Sequence, residues 1–377
     1  MLRFFSNILN RLMGKSEMQQ LKERIEQHLT PAGEEALELL NPDRVEILLS
    51  EEFLVGACPR DEVRIVFYRE LNNGACALPT INLNTYRDHA NAVKEYFNVI
   101  DIRKIASGGY GTIYQALDRG RPIKKFALKL IQSHIISRKY TKKWVGLCKT
   151  EIFFHINLRH SYILKTFSYM WLNHKPQDPF GSYLVMKCEL LQVSIAELIE
   201  FMSLADPVVI KMFREIGSAL CYMHGLKIVH HDIKPANIMI KTDMVLRMTS
   251  RIDMRTDLSN LDKYCFKLID FGVTKRYIEF DRPMRDTYET MHYYGTPAYM
   301  SPEKREGLRF NPYLADSYAF GKTMFKSLAG FQKKDVFFKR AEGTIWMILE
   351  SMMCEESVRL MIDEALINLE IRLLSKK

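Results

Sequence analysis

Three short constellations in the second half of the chain limit its fold more than any other feature. His230-His231-Asp232-Ile233-Lys234-Pro235-Ala236-Asn237 runs straight into the apolar Ile238-Met239-Ile240. Leu268-Ile269-Asp270-Phe271-Gly272 ends a second apolar run. Gly295-Thr296-Pro297-Ala298-Tyr299-Met300-Ser301-Pro302-Glu303 comes last. Their setting is ordered too. Strand-like runs at Phe97–Ile105, Thr112–Leu117 and Phe126–Ile131 surround a glycine cluster. Further strands are expected near 163–171 and 182–187, and a helix near 140–159. Beyond residue 205 most apolar spacing is helical. The prediction is an α+β chain with two lobes, a small antiparallel β-rich one and a larger α-rich one.

The glycine cluster is Ala106-Ser107-Gly108-Gly109-Tyr110-Gly111-Thr112-Ile113-Tyr114. Glycines let a strand–turn–strand backbone approach phosphates that a Cβ would hold off. A glycine turn between strands is common, so this signal gains weight only from its neighbours. Phe126-Ala127-Leu128-Lys129 lies on the next strand. A lysine inside an apolar strand is costly to bury without an anion. Glu151, on the following helix, is the candidate anion. A solvent-facing lysine is the plain alternative.

Taken in order, these pieces resemble the eukaryotic-like protein kinase family, in its serine/threonine branch. The resemblance covers roughly residues 97–370. It implies transfer of phosphate from ATP, with Mg²⁺, to Ser or Thr hydroxyls of protein substrates. It implies that Asp232 accepts a hydrogen bond from the substrate hydroxyl and that Lys234 offsets charge on the transferred group. Asn237 and Asp270 would supply oxygen ligands to Mg²⁺. Lys129 would contact the phosphates, with Glu151 fixing its position. Ala106, Ser107, Gly108, Gly109, Tyr110 and Gly111 would cover the phosphates. Ile113 and Ala127 above, and Met239 below, would enclose the base. The resemblance gives Asp316 the role of anchoring the catalytic loop and pairs Arg359 with Glu303. The linker between lobes falls near Met186-Lys187-Cys188-Glu189, and the residue guarding the back of the pocket is either Met186 or Cys188. Thr296 is expected beside Asp232 and Lys234, which fits a serine or threonine acceptor.

The sequence departs from the family pattern in three places. Ala106 stands where the first glycine of the phosphate loop is usual. His231 replaces the arginine that ordinarily receives a phosphate from the activation segment. That replacement implies activity independent of such phosphorylation, although Thr287, Tyr288, Thr290, Tyr293 and Tyr294 crowd the segment. The stretch from Asn237 to Asp270 is longer than the family norm by roughly twenty residues. The extra chain, 241–263, carries Lys241, Arg247, Arg251 and Arg255 and is expected to lengthen a hairpin as a solvated basic loop. Two rival functions compete. A pseudokinase would act as a nucleotide-binding scaffold, but the set Lys129, Glu151, Asp232, Asn237 and Asp270 is complete. A small-molecule kinase has no need of Gly295–Glu303, which the resemblance makes a peptide-binding surface.

Charge divides the chain. Residues 1–96 hold 11 Lys and Arg against 15 Asp and Glu, and residues 97–377 hold 43 against 30. The first stretch reads as an N-terminal extension of mixed structure, the second as the kinase domain, with lobes at about 97–187 and 190–377. The basic excess of the second is compatible with an acidic protein substrate. Residues 1–15 form a basic amphipathic helix pattern, open to three readings: peripheral contact with an anionic membrane, organelle targeting, or docking on the rest of the chain. No apolar run approaches transmembrane length, and no nucleic-acid motif is evident. Seven scattered cysteines without a CxxC pair fit an intracellular, most simply cytoplasmic, setting.

Overall fold

The computed structural model describes residues 81–82, 91, 93–108, 111–132, 151–155, 157–175, 178–277, 284–289, 295–330 and 344–374. The helix expected at 1–15 and most of the N-terminal extension lie outside these residues.

Strand alternation builds the first lobe. β1 (Ile81–Asn82), β2 (Val99–Gly108), β3 (Gly111–Asp118), β4 (Lys125–Gln132), β5 (Thr166–Lys175) and β6 (Asp178–Glu189) form one sheet in the order β1-β5-β6-β4-β3-β2. Its neighbours are antiparallel except β1, which pairs parallel with β5. Along β4, Phe126 and Leu128 are buried while Ala127 and Lys129 are half-buried. One face of the strand therefore packs on Val99, Ala116, Met170 and Val185, and the other is left for the cleft. Each apolar side chain so buried contributes roughly 1.5–3 kcal/mol. At Gly111 a Cβ would lie 2.4 Å from the Leu130 carbonyl oxygen, so only glycine lets β3 start this close to β4.

Helices dominate the second lobe. α1 (Ile195–Phe201) begins with a capping box between Ser194 and Glu197. α2 (Asp206–Gly225) runs through the core, with Val209, Met212, Phe213, Ile216, Leu220 and Met223 fully buried. α5 (Pro312–Ala329) starts where the Asn311 side chain accepts the Tyr313 and Leu314 amides, and its Phe320 stacks on Phe213. α6 (Thr344–Met353) and α7 (Ile362–Leu374) pack around α2 and α5. Between α2 and α5 lie the short strands β8 (Ile228–Val229), β9 (Ile238–Thr242), β10 (Tyr264–Leu268) and β11 (Lys275–Arg276), and the one-turn α4 (Pro302–Arg305). β9 and β10 pair antiparallel, with β7 (Val193–Ser194) on the outer side of β9.

The extra chain at 241–263 corrects the sequence reading. β9 stops at Thr242 and β10 starts at Tyr264, so the hairpin is not lengthened. The insertion folds instead as α3 (Arg251–Ser259), opened by Ser250, whose hydroxyl accepts the Asp253 amide. Met254 and Leu258, four residues apart, are 0% and 2% exposed and join the main core. Arg247 is paired with Asp257 at 2.7 Å and Asp253 at 3.5 Å, and the Arg251 Nε donates to the Phe201 carbonyl at the end of α1. The segment is a docked helix rather than a solvated loop.

Candidate active site

The two lobes each bring one half of the site. From the sheet, Lys129 forms an ion pair with Glu151, which sits on the helical residues 151–155. His155, one turn on, approaches the same carboxylate at 3.7 Å and packs edge-on against Phe271. Burial alone would pull the Lys129 ammonium down; the carboxylates of Glu151 and Asp270 outweigh it and hold the amine firmly protonated. Burial likewise pushes Glu151 up, and Lys129 and His155 pull it below the usual carboxylate range. Asp270 thus lies within electrostatic reach of Lys129, although it follows β10 in the other lobe.

The loop between β8 and β9 is fixed from beneath by α5. Asp316, 1% exposed, accepts the backbone amides of His230 at 2.8 Å and His231 at 2.9 Å, and His224 Nε2 approaches it at 3.1 Å. Burial pushes its carboxyl up, but His224 and the neighbouring histidines bring it down to about 2. This clamp holds His231 at φ 68°, in the left-handed region that non-glycine residues avoid. Asp270 has the same character, with φ 67°. His230 Nδ1 accepts the Asp232 amide at 3.2 Å, and its Nε2 faces the Ile269 carbonyl at 3.2 Å. The histidine thereby ties the loop of Asp232 to the residue before Asp270.

Asp232 stands at the centre of a closed set of bonds. Its Oδ1 accepts the Thr296 hydroxyl at 2.8 Å, and its Oδ2 accepts Lys234 Nζ at 2.7 Å. Lys234 also donates to the Thr296 oxygen at 2.8 Å, which places Thr296 where the sequence expected it. Asn237 Nδ2 donates to the Asp232 carbonyl at 2.9 Å and to its Oδ2 at 3.2 Å. That spends the amide nitrogen and leaves the Asn237 side-chain oxygen as an acceptor. Together with the Asp270 carboxylate it makes a hard, all-oxygen donor pair suited to Mg²⁺. Among the described residues no group of three or more His, Cys, Asp or Glu gathers as a self-sufficient metal cage. A two-donor set fits an ion that takes its remaining ligands from phosphates and water.

The other expected positions distribute as follows. Ala106, Ser107 and Gly108 pair with Ile113, Thr112 and Gly111 across the β2–β3 turn; Gly109 and Tyr110, at its tip, lie outside the described residues. Ile113, Ala127 and Met239 are each half-buried, Ala127 between buried Phe126 and Leu128, and Met239 between buried Ile238 and Ile240. The register also separates the two linker candidates. Cys188 stands opposite Ala127 near the end of β6, and Met186 stands opposite Lys129, two pairs deeper in the sheet. Burial pushes the Cys188 thiol up to about 11, so it is neutral. Glu303 and Arg359 form a two-pronged pair at 2.6 and 3.2 Å.

A model of the protein kinase domain matches residues 99–369. The chain belongs to the protein kinase family. Relatives carry the same theme. Over 236 residues the kinase is 26% identical to the serine/threonine-protein kinase ppk11 of Schizosaccharomyces pombe, covering 61% of each chain. It is 25% identical over 236 residues to the testis-specific serine/threonine-protein kinase 4 of Homo sapiens, covering 59% of this chain and 62% of the other. With serine/threonine-protein kinase 33 of Bos taurus the identity is 25% over 266 residues, 70% of this chain and 47% of the relative. The kinase covers less than two thirds of the length of each of these relatives.

Sequence reasoning missed four side chains that the kinase fold gathers here. His155 was legible as the residue four after Glu151 on a helix. Lys304 follows Glu303 directly, is buried, and faces His231 Nδ1 at 3.4 Å. Tyr277 and Glu289 carry no motif signal; only folding brings them to His231. Of the activation-segment hydroxyls, Thr287 is buried and Tyr288 exposed, while Thr290, Tyr293 and Tyr294 lie outside the described residues.

Proposed function

We propose that this kinase domain is catalytic, transferring the γ-phosphate of ATP to serine or threonine hydroxyls of protein substrates with Mg²⁺ as cofactor. The observation that carries this reading is Asp232, with one oxygen on Thr296 and the other on Lys234. An acceptor hydroxyl donating to Asp232 is oriented for attack and hands over its proton there. Lys234 offers its remaining N–H to the transferring group as charge develops. Lys129, pinned by Glu151, holds the α- and β-phosphates. Asp270 and Asn237 would hold Mg²⁺, which would offset the charge of the phosphates during transfer. Ile113, Ala127 and Met239 form the slot for the base, with Met186, opposite Lys129, at its back. Glu303, Arg359 and Asp316 keep the surrounding frame in place.

We read residues 97–377 as the catalytic domain, residues 1–96 as an extension, and the setting as intracellular and cytoplasmic. Residues 1–15 would make peripheral contact with an anionic membrane surface. Among the described residues no helix is long and apolar enough to cross a membrane. The reading includes independence from activation-segment phosphorylation, supported by a His231 that is buried against Lys304 and held well below the usual histidine range.

The test uses the purified full chain, ATP, Mg²⁺ and a peptide panel, before and after phosphatase treatment. Transfer to Ser and Thr peptides, unchanged by the phosphatase, is expected. Intact ATP binding without transfer would favour the scaffold reading instead. Acidic peptides are expected to bind best, with a several-fold rise in KM between low and physiological salt, as the Debye length shortens to about 8 Å. A flat response to salt would remove the acidic-substrate part of the proposal.

A further inference from the structure

We propose that Glu289 is a positioning residue that stands in for an activation-segment phosphate, acting on the catalytic loop through Tyr277 and His231. This rests on the reading of the chain as a kinase that works unphosphorylated. Glu289 lies between Asp270 and Glu303 and is fixed by a backbone bridge to Phe310, with N···O distances of 2.8 and 2.9 Å. Its side chain is 9% exposed. One carboxylate oxygen accepts Lys275 Nζ at 2.8 Å and the other accepts the Tyr277 hydroxyl.

The direction of the remaining bonds follows. A carboxylate only accepts, so Tyr277 spends its one proton on Glu289. Its oxygen must then accept from His231 Nε2, 2.9 Å away. That leaves His231 Nδ1 as the acceptor facing Lys304 Nζ at 3.4 Å, and Lys304 also donates to the His231 carbonyl at 3.3 Å. An anion of the activation segment is thereby linked, through one hydroxyl, to the strained residue immediately before Asp232. An arginine at this position would meet a phosphate directly. Here the histidine is neutral, and the positive charge comes from Lys275 and Lys304 on either side. An arriving phosphate would confront a carboxylate already in place, with like-charge repulsion against it.

The test compares wild type, E289Q, E289D and Y277F in the full chain after phosphatase treatment. Steady-state kinetics, thermal melting and hydrogen exchange of residues 230–234 are measured on each. Misplacing a catalytic group by an ångström costs up to about a hundredfold in rate. E289Q and Y277F are therefore expected to lower kcat about ten- to a hundredfold while the KM for ATP changes less than twofold. E289D should recover part of the loss. Combining E289Q with Y277F should be no worse than the poorer single variant, because both cut the same path. Exchange at residues 230–234 should quicken in E289Q without a matching fall in melting temperature. Wild-type kcat in both E289Q and Y277F overturns the proposal. So does a loss that simply tracks the unfolded fraction, or unchanged exchange in the loop. An inert wild type sinks the catalytic reading, whereas the exchange comparison still judges the role of Glu289.

Discussion

Asp232→Asn is expected to lower phosphoryl transfer by roughly 10²–10⁴-fold while leaving the fold and ATP binding near wild type. The substitution keeps the volume of the side chain and one acceptor oxygen. It removes the charge that holds Lys234 at 2.7 Å, and it turns an NH₂ toward either that ammonium or the Thr296 hydroxyl. A carboxamide cannot take the proton of an acceptor hydroxyl, so the loss falls on the transfer step. The structural cost is small, about 1 kcal/mol for one altered hydrogen bond, because Asp316 anchors the loop independently. Single-turnover transfer, calorimetric ATP binding and a thermal melt separate these effects. Transfer retained at wild-type rate would refute the assignment of Asp232.

The largest loss of stability is expected from Arg359→Ala. The Arg359 side chain is 0% exposed and touches more than Glu303. It also donates to the carbonyls of Cys354 at 2.9 and 3.1 Å and of Leu314 at 3.3 Å. Truncation strands a largely buried carboxylate and two carbonyls, and breaking such a pair typically costs about 3–5 kcal/mol. Lysine would not rescue it, since one ammonium cannot serve both carboxylate oxygens and the carbonyls in a plane. The pH dependence has a definite sign. Burial alone pushes Glu303 up, but Arg359 and Ser301 bring it below its ordinary 4.5 in the folded protein. The wild-type pair therefore stabilises above that pH and weakens as pH falls through the folded value. In the variant the unpaired Glu303 rises above 4.5, and its protonation relieves the penalty as pH falls. Urea unfolding should show the full deficit at neutral pH and a smaller one in acid. A deficit independent of pH would mean that packing, not the charge pair, accounts for the loss.

Much of the site was legible because its chemistry sits in contiguous motifs. Asp232, Lys234 and Asn237 fall within six residues, and short-range geometry brings them together. Lys129 and Glu151 were found because an unpaired lysine on an apolar strand demands an anion. Other features depended on long-range contacts. Met186 and Cys188 share one face of β6, so their own alternation could not separate them; the partner strand did. The insertion read as a loop because its charges dominate its composition. Its helix signals, Ser250 three residues before Asp253 and the Met254–Leu258 pair, were present but short. The path from Glu289 to His231 joins three segments, and no local pattern announces it. The left-handed backbone at His231 and Asp270 is likewise imposed by the surrounding structure.

Gly295 gives this arrangement a mechanical meaning. Its backbone takes φ 101°, and a Cβ there would sit 2.4 Å from the His231 carbonyl oxygen. No side chain cushions the two strands of polypeptide at that point. With Thr296 bonded to Asp232 and Lys234 one residue later, there is neither slack nor clearance between them. The activation segment therefore behaves here as a lever bolted to its load rather than a flap laid over it. Any force that displaces it is delivered undamped to the peptide just ahead of Asp232.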